Sequence, residues 1–172
     1  MSASRHLIRL SHIGLVCVIW AFYESLFAWA IWLMLGLDQK TGMIVTGGLD
    51  IRPRANMAVR LAKHLKAPAD LREALENARQ KLEDGLYQRR NLVVHGIHDG
   101  DSEHVMTLQL HRGKNTDPQP VSDEDLIQLG ADLDKAVDEL REVIVRHYRK
   151  PMEAMARNMR SAASDADSES GS

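Results

Sequence analysis

The chain has 172 residues, enough for one domain that buries a core without disulfides or metals. Its formal net charge of −2 excludes a protein whose bulk charge attracts nucleic acid, so any RNA site must be a local basic patch. The single cysteine, Cys17, excludes a disulfide framework within the chain and fits a reducing cytoplasm.

The first apolar segment follows a polar, mildly basic stretch, residues 1–10, which we expect to be flexible. Residues 13–37 are apolar almost throughout and are interrupted only by Glu24 and Ser25. As a helix this segment would be about 37 Å long, enough to span a bilayer. It is either a membrane anchor or a helix covered on one side by its own bundle and on the other by a partner subunit.

Glu24 favours the buried interpretation of this segment. A carboxylate at the centre of a bilayer costs about 2.5–3.5 kcal/mol on insertion scales. The tryptophans Trp20, Trp29 and Trp32 also lie within the segment, whereas an aromatic belt would bracket its ends. We therefore expect a cytoplasmic protein, with membrane association through residues 13–37 as the alternative.

Two further helices are expected after a connection over residues 38–53 that is rich in glycine. The second helix covers residues 54–66. Pro68, which a first helical turn tolerates, starts a third helix that runs to about Val94. Apolar residues on one face of this third helix recur at steps of three and four: Leu71, Leu75, Ala78, Leu82 and Leu86.

The pattern changes after Gly96. Residues 105–112 alternate between apolar and polar, and residues 113–120 are rich in turn formers, which together predict a small β-hairpin. Ser122 fits the N-cap of a fourth helix. Residues 161–172 consist mostly of Ser, Asp, Glu and Gly and are expected to form a disordered acidic tail.

These elements predict an all-α fold over residues 11–160. We expect a four- to five-helix up-and-down bundle with the small β-hairpin inserted between the last two long helices.

The end of the third helix carries residues suited to phosphodiester chemistry, in the order Arg90-Asn91-Leu92-Val93-Val94-His95. The guanidinium of Arg90 can hold phosphate oxygens bidentately. The imidazole of His95 can move a proton near neutral pH. This chemistry needs no metal and no other cofactor, and we expect none.

Arg90, Asn91 and His95 resemble the signature of the HEPN superfamily, which is an Arg, a polar residue, three further residues and a His. The resemblance implies a helical bundle and a homodimer in which two motifs meet. It also implies a metal-independent endoribonuclease, a hydrolase of toxin–antitoxin or defence type, with RNA as substrate and an antitoxin as a partner. By this resemblance Arg90, His95 and Asn91 are the expected catalytic residues.

Two further residues are expected to support the motif. Arg89 is a candidate for substrate binding, since it also lies at a spacing from His95 that the HEPN pattern allows. Glu24, a carboxylate in an apolar helix, must be paired, solvated or protonated. We expect it to pair with an arginine of the site and orient it, although a core glutamate bonded to backbone or water remains open.

Two other functions remain open. The cluster His95, His98, Asp99, Asp101 and His104 has the residue types of a metal site, but no structural zinc spacing, and is expected to be a solvated loop. The first alternative function is a non-catalytic HEPN-like dimeric interaction module. The second is a protein anchored to the membrane by residues 13–37.

Overall fold

The computed structural model of the chain describes the backbone of residues 3–95, 105–107, 110–111, 114–115 and 119–169, and the side chains of residues 7–94, 121–154 and 157. Most of the described residues are helical, so the predicted all-α class and helical bundle are confirmed. The helices are α1 (Ala3–Leu35), α2 (Gln39–Thr46), α3 (Ile51–His64), α4 (Ala69–Lys81), α5 (Tyr87–His95) and α6 (Asp123–Glu169). A π-helical turn, Leu82–Leu86, connects α4 to α5.

The chain divides into two compact units, and α1 and α6 each contribute residues to both. Unit 1 consists of Met1–Glu24 and Ala78–Asp138, and therefore contains the Arg90–His95 motif. Unit 2 consists of Ser25–Asn77 and Glu139–Ser172.

In unit 1, two long-range contacts fix the first part of α1. The Tyr23 hydroxyl is fully buried and donates to the Ala78 carbonyl over 2.9 Å. Arg9 Nε donates to Asp123 Oδ1 over 2.7 Å, and Arg9 is only 4% exposed. Helix α1 begins at Ala3, and this ion pair gives Arg9 a fixed partner, while the predicted flexibility of residues 1–10 as a whole stays a prediction.

Ser122 and Asp125 form the start of α6 in unit 1. Asp125 N donates to Ser122 Oγ over 3.1 Å, and Ser122 N donates in return to Asp125 Oδ2 over 2.9 Å. This reciprocal arrangement satisfies two backbone N–H groups at the helix end. The predicted N-cap at Ser122 is confirmed.

In unit 2, α3 begins earlier than the sequence pattern predicts. Asp50 is its N-cap and accepts from Ile51 N over 2.8 Å, so Pro53 lies in the first turn of the helix. A first-turn proline costs no hydrogen bond, because the N–H groups there have no partner within the helix. The expected start at residue 54 was therefore wrong by three residues.

The predicted third helix is interrupted in the structure by the π-helical turn. Gly85 has φ 123° and ψ −12°, a backbone conformation that side chains with a Cβ rarely adopt. The predicted apolar face is nevertheless confirmed, since every member of it is buried on both sides of the interruption: Leu71, Leu75, Ala78, Leu82 and Leu86.

Between α5 and α6 the described residues form four short strands in antiparallel pairs. Strand β1 (Val105–Thr107) pairs with β4 (Gln119–Val121), and β2 (Leu110–His111) pairs with β3 (Lys114–Asn115). Val105 lies opposite Val121, and Leu110 lies opposite Asn115. A single hairpin over the whole segment stays a prediction, because the residues between these strands lie outside the described part.

Helix α6 has a kink and extends beyond the predicted boundary at residue 160. Tyr148 has φ −127° and ψ 22°, and Pro151 follows within the helix. The break fits the missing N–H and the ring of Pro151. Residues 161–169 have helical backbone, and the predicted disorder of the acidic tail over residues 161–172 stays a prediction.

Helix α1 combines a buried face with an exposed apolar one. Its stretch Leu7–Leu35 is long and apolar enough to cross a membrane, but the same stretch contains much of the core, including Phe27 and Ile31. In unit 1 the exposed face carries Leu7, Leu15 and Val18, with Val18 68% exposed. Exposed apolar stripes are typical of surfaces that contact a protein or a membrane.

Candidate functional site

Arg90 occupies the middle of α5, and two of its contacts within unit 1 define the position of its guanidinium. Its Nη1 donates to Asn91 Oδ1 over 3.0 Å. Its guanidinium carbon lies 5.1 Å from the centroid of the Trp20 ring, in a cation–π arrangement. Arg90 is half-buried and Trp20 is 2% exposed. The guanidinium therefore has a defined position against the face of the Trp20 ring.

Trp20 lies at the centre of a cluster of aromatic rings. The Tyr23 ring meets it edge-on with centroids 6.5 Å apart, and the Tyr87 ring lies 6.1 Å away at a tilt of 53°. Aromatic pairs in such geometries contribute about 0.5–1.5 kcal/mol beyond their buried area. The cluster thus joins α1 to α5, the helix that carries the motif.

Glu24 supports the same cluster from α1. Trp20 Nε1 donates to Glu24 Oε1 over 2.8 Å, one helical turn apart. The expected direct pairing of Glu24 with an arginine stays a prediction. The structure offers an indirect route, because Glu24 fixes the indole whose face supports the Arg90 guanidinium.

Arg89 points to a different partner from Arg90. Its Nη1 donates to Asp132 Oδ2 of α6 over 2.6 Å, and Gln128 Nε2 donates to Asp132 Oδ1 over 2.8 Å. The hydrogen bond from Arg89 holds the pKa of the Asp132 carboxyl below its ordinary value. Arg89 thus connects α5 to α6, and the predicted role in substrate binding would require this ion pair to open.

The Arg89–Asp132 pair predicts a specific pH dependence of stability. Because the pKa of Asp132 is lower in the folded state, the pair stabilises the fold above the unfolded-state pKa of about 4 and the stabilisation is lost as the pH falls through the folded-state pKa. Asp132→Asn should therefore lower stability at neutral pH and lose less of it between about pH 4 and pH 2 than the wild type does. Urea unfolding at a series of pH values measures this.

Asp134→Asn is the control for this experiment. It removes a carboxylate from the same helix, two residues away, at an exposed position without touching the pair. If Asp132→Asn and the wild type lost stability in parallel below pH 4, the ionisation of Asp132 would make no contribution to the pH dependence of folding.

His95 is the last residue of α5. The helix runs without interruption from Tyr87 to His95, so a five-residue step separates His95 from Arg90 by about 140° around the axis. The side chain of His95 lies outside the described residues, as do His98, Asp99, Asp101 and His104. Among the side chains that the structure does describe, no group of three His, Cys, Asp or Glu converges to hold a metal ion.

Sequence reasoning identified Arg90 and Asn91, and the structure brings them together. It missed Trp20 and Asp132 as partners of the two arginines, and Tyr87 as a neighbour of Trp20. Helical spacing carries part of the missing signal: Trp20 lies four residues before Glu24, and Tyr87 three residues before Arg90. The contact with Asp132 spans 43 residues and has no local signature.

Comparison of the chain with protein-family models, curated proteins and solved structures finds no match. The HEPN resemblance therefore rests on the Arg90–His95 motif and on its position at the end of a helix in an all-α chain.

Proposed function

We propose that the chain is a metal-independent endoribonuclease of HEPN type. It acts on RNA as a homodimer in the cytoplasm, in a toxin or defence context with an antitoxin as partner. The observation that carries this proposal is the placement of Arg90, whose guanidinium is fixed by Asn91 and by the face of Trp20 shortly before the end of α5.

Each motif residue has a defined part in the proposed reaction. The 2′-hydroxyl of the substrate attacks the adjacent phosphorus, the bond to the 5′-oxygen breaks, and a 2′,3′-cyclic phosphate and a 5′-hydroxyl result. Arg90 binds the scissile phosphate and stabilises its added negative charge. His95 removes the 2′-hydroxyl proton or protonates the leaving 5′-oxygen. Asn91 orients the guanidinium through the hydrogen bond to its side-chain oxygen.

The geometry of α5 supports a site completed by two subunits. Since α5 does not end between Arg90 and His95, the two positions face different directions around one helix. A second copy supplies the complementary acid or base. The exposed apolar stripe of α1, with Leu7, Leu15 and Val18, offers this second copy a surface to cover.

The remaining features of the proposed site follow from its neighbours. The strand segment after α5 is a small β-hairpin beside the motif. Arg89 contacts the substrate when its ion pair with Asp132 opens, and Glu24 holds Trp20 under Arg90.

A non-catalytic dimeric interaction module is the second candidate. The observation that favours it is that Arg89 and Arg90 both have intramolecular partners, which stabilise the fold without any substrate. The apolar length of α1 favours a third candidate, a protein anchored to the membrane by residues 13–37.

Cleavage of RNA in the presence of EDTA tests the proposed function. We expect the full chain to cut RNA under these conditions and to leave 2′,3′-cyclic phosphate and 5′-hydroxyl ends. His95→Ala should lower the rate about 100-fold or more, since a positioned general acid or base contributes roughly 10²–10⁴. Gel analysis of end-labelled RNA, with phosphatase treatment of the ends, gives both results.

His98→Ala is the matched control, because it removes an imidazole three residues further along the chain. We expect it to cut at nearly the wild-type rate. A folded, dimeric wild type that leaves RNA intact would establish the interaction module instead, and equal activity of His95→Ala and the wild type would remove His95 from the mechanism.

A further inference from the structure

The outward face of α3, in unit 2, forms a groove that the proposed reaction does not use. The groove has a volume of about 590 Å³. The residues lining it recur at helical spacing on one side of α3: Pro53, Asn56, Met57, Arg60, Leu61 and His64. The opposite side of the helix is buried, with Ala55, Val59 and Ala62 in the core. The described residues that line the groove therefore lie on the exposed face of a firmly packed helix.

The charge of this helix has a single sign. Residues 51–66 contain five cationic side chains and no Asp or Glu: Arg52, Arg54, Arg60, Lys63 and Lys66. This density stands out in a chain whose net charge is −2. The positive charge of this stretch favours a polyanion, and Arg60 is the one of these five residues that lines the groove among the residues that the structure describes.

At least three of these cations are already engaged, namely Arg52, Arg54 and Lys63, and the contacts of the last two lie within unit 2. Arg54 Nη2 donates to the carbonyls of Thr46 and Leu49 over 3.1 and 2.7 Å, and Lys63 Nζ pairs with Glu76 over 2.8 Å. Arg60 lies in the groove and is exposed, and it makes no hydrogen bond or ion pair with any part of the chain that the structure describes. Arg60 is thus the cation that is positioned for a ligand.

The groove has two parallel strips of different chemistry. Asn56, Arg60 and His64 follow one another at steps of four residues, and Pro53, Met57 and Leu61 do the same beside them. We propose that this groove binds a single strand of RNA, with the phosphates along the polar strip and the riboses and bases against the apolar strip. Asn56 has both a donor and an acceptor for a 2′-hydroxyl or a base edge.

The helix itself decides where along the groove the phosphate lies. The carbonyl end of α3, next to His64, carries the negative end of the helix dipole and disfavours an anion there. The phosphate contact is therefore at Arg60 and Asn56. A lipid surface is a poorer occupant, because it binds protruding apolar side chains, whereas Met57 and Leu61 are only half-exposed and lie within a groove.

This inference rests on the proposed function for the identity of the polymer, and its test separates the two. Binding is measured in a His95→Ala background, in which cleavage is expected to be about 100-fold slower or more, by fluorescence anisotropy of a labelled single-stranded RNA of about 12 nucleotides. Arg60→Gln should weaken binding at least fivefold and lower the slope of log affinity against log salt concentration by about one. Arg72→Gln, which removes another exposed arginine from unit 2 but outside the groove, should stay within twofold of the parent.

The outcomes are distinct. If the wild type fails to cut RNA but Arg60→Gln still weakens RNA binding more than Arg72→Gln does, the proposed RNA-binding groove is supported and the ribonuclease proposal is wrong. Equal binding by Arg60→Gln and Arg72→Gln would overturn the groove, and so would the absence of RNA binding altogether. Binding of the chain to phosphatidylglycerol vesicles that Arg60→Gln abolishes, without any binding to RNA, would overturn it in favour of a lipid headgroup.

Discussion

Replacing Arg90 with alanine is expected to lower the rate of RNA cleavage about 100-fold or more while the helical fold persists. The loss of one donor that stabilises developing charge typically costs roughly 10²–10³ in rate. Arg90 also rests on Trp20, so its removal should lower the free energy of unfolding by about 0.5–2 kcal/mol through the lost cation–π contact. Single-turnover cleavage together with urea unfolding measures the two effects separately.

Arg89→Ala is the matched control for Arg90→Ala. Both variants remove one guanidinium from the same turn of α5, but Arg89 pairs with Asp132 whereas Arg90 contacts Asn91 and Trp20. We expect Arg89→Ala to weaken substrate binding but, at saturating RNA, to lower the single-turnover rate far less than Arg90→Ala does, because Arg89 is not the donor to the scissile phosphate. If the two variants lost activity equally, the loss would reflect the net charge of α5, and Arg90 would have no special place in the mechanism.

Arg90→Lys separates the charge of Arg90 from its shape. Lysine keeps the positive charge but lacks the planar fork that stacks on an indole and holds two phosphate oxygens at once. We expect cleavage by this variant to lie well below the wild type and above Arg90→Ala. If Arg90→Lys had wild-type activity, the reaction would need only the positive charge at this position, and the placement of the guanidinium by Trp20 and Asn91 would not contribute to catalysis.

The sequence predicted the features that repeat along the chain. The apolar steps of α4, which continue through Leu86, and the N-cap of α6 at Ser122 are local patterns, and the structure confirms both. The motif Arg90-Asn91 was also visible because its two members are adjacent. These are the features for which spacing along the chain determines proximity in space.

The features that sequence reasoning missed depend on a single backbone conformation or on distant contacts. Gly85 could have been an ordinary helical glycine, and only its positive φ reveals the π-helical turn that divides the third helix. The sequence places Arg9 in a polar N-terminal stretch, and only the structure shows its ion pair with Asp123, 114 residues away. Neither the positive φ of Gly85 nor the ion pair of Arg9 produces a periodic pattern in the sequence.

Helix α2 shows the same limit most clearly. Its large apolar residues Met43 and Ile44 are exposed, Ile44 by 83%, while Gly42 and Thr46 are buried. Hydrophobicity alone predicts the opposite orientation. The orientation follows from Trp32, whose Nε1 donates to Thr46 Oγ1 over 3.0 Å and whose ring lies against Gly42.

Gly42→Ala is therefore expected to destabilise the fold by about 2 kcal/mol, although alanine is the better helix former. A Cβ at this position would overlap the Trp32 indole ring, which is 6% exposed and has little room to move. Overpacking of a close-packed site costs roughly 1–3 kcal/mol, and a displaced indole would also lose its hydrogen bond to Thr46. The gain in helix propensity, at most about 1 kcal/mol, opposes this but is smaller.

Gly48→Ala and a second background test the cause of this destabilisation. Gly48 lies close by in the chain, is exposed and has no atom within 4 Å of an added Cβ, so Gly48→Ala should change stability by less than about 0.5 kcal/mol. In a Trp32→Leu background the ring is gone, and adding Gly42→Ala should then cost less than it does in the wild type, with a coupling of about 1 kcal/mol or more between the two positions. Additive effects of the two substitutions in urea unfolding would mean that the indole does not set the orientation of α2.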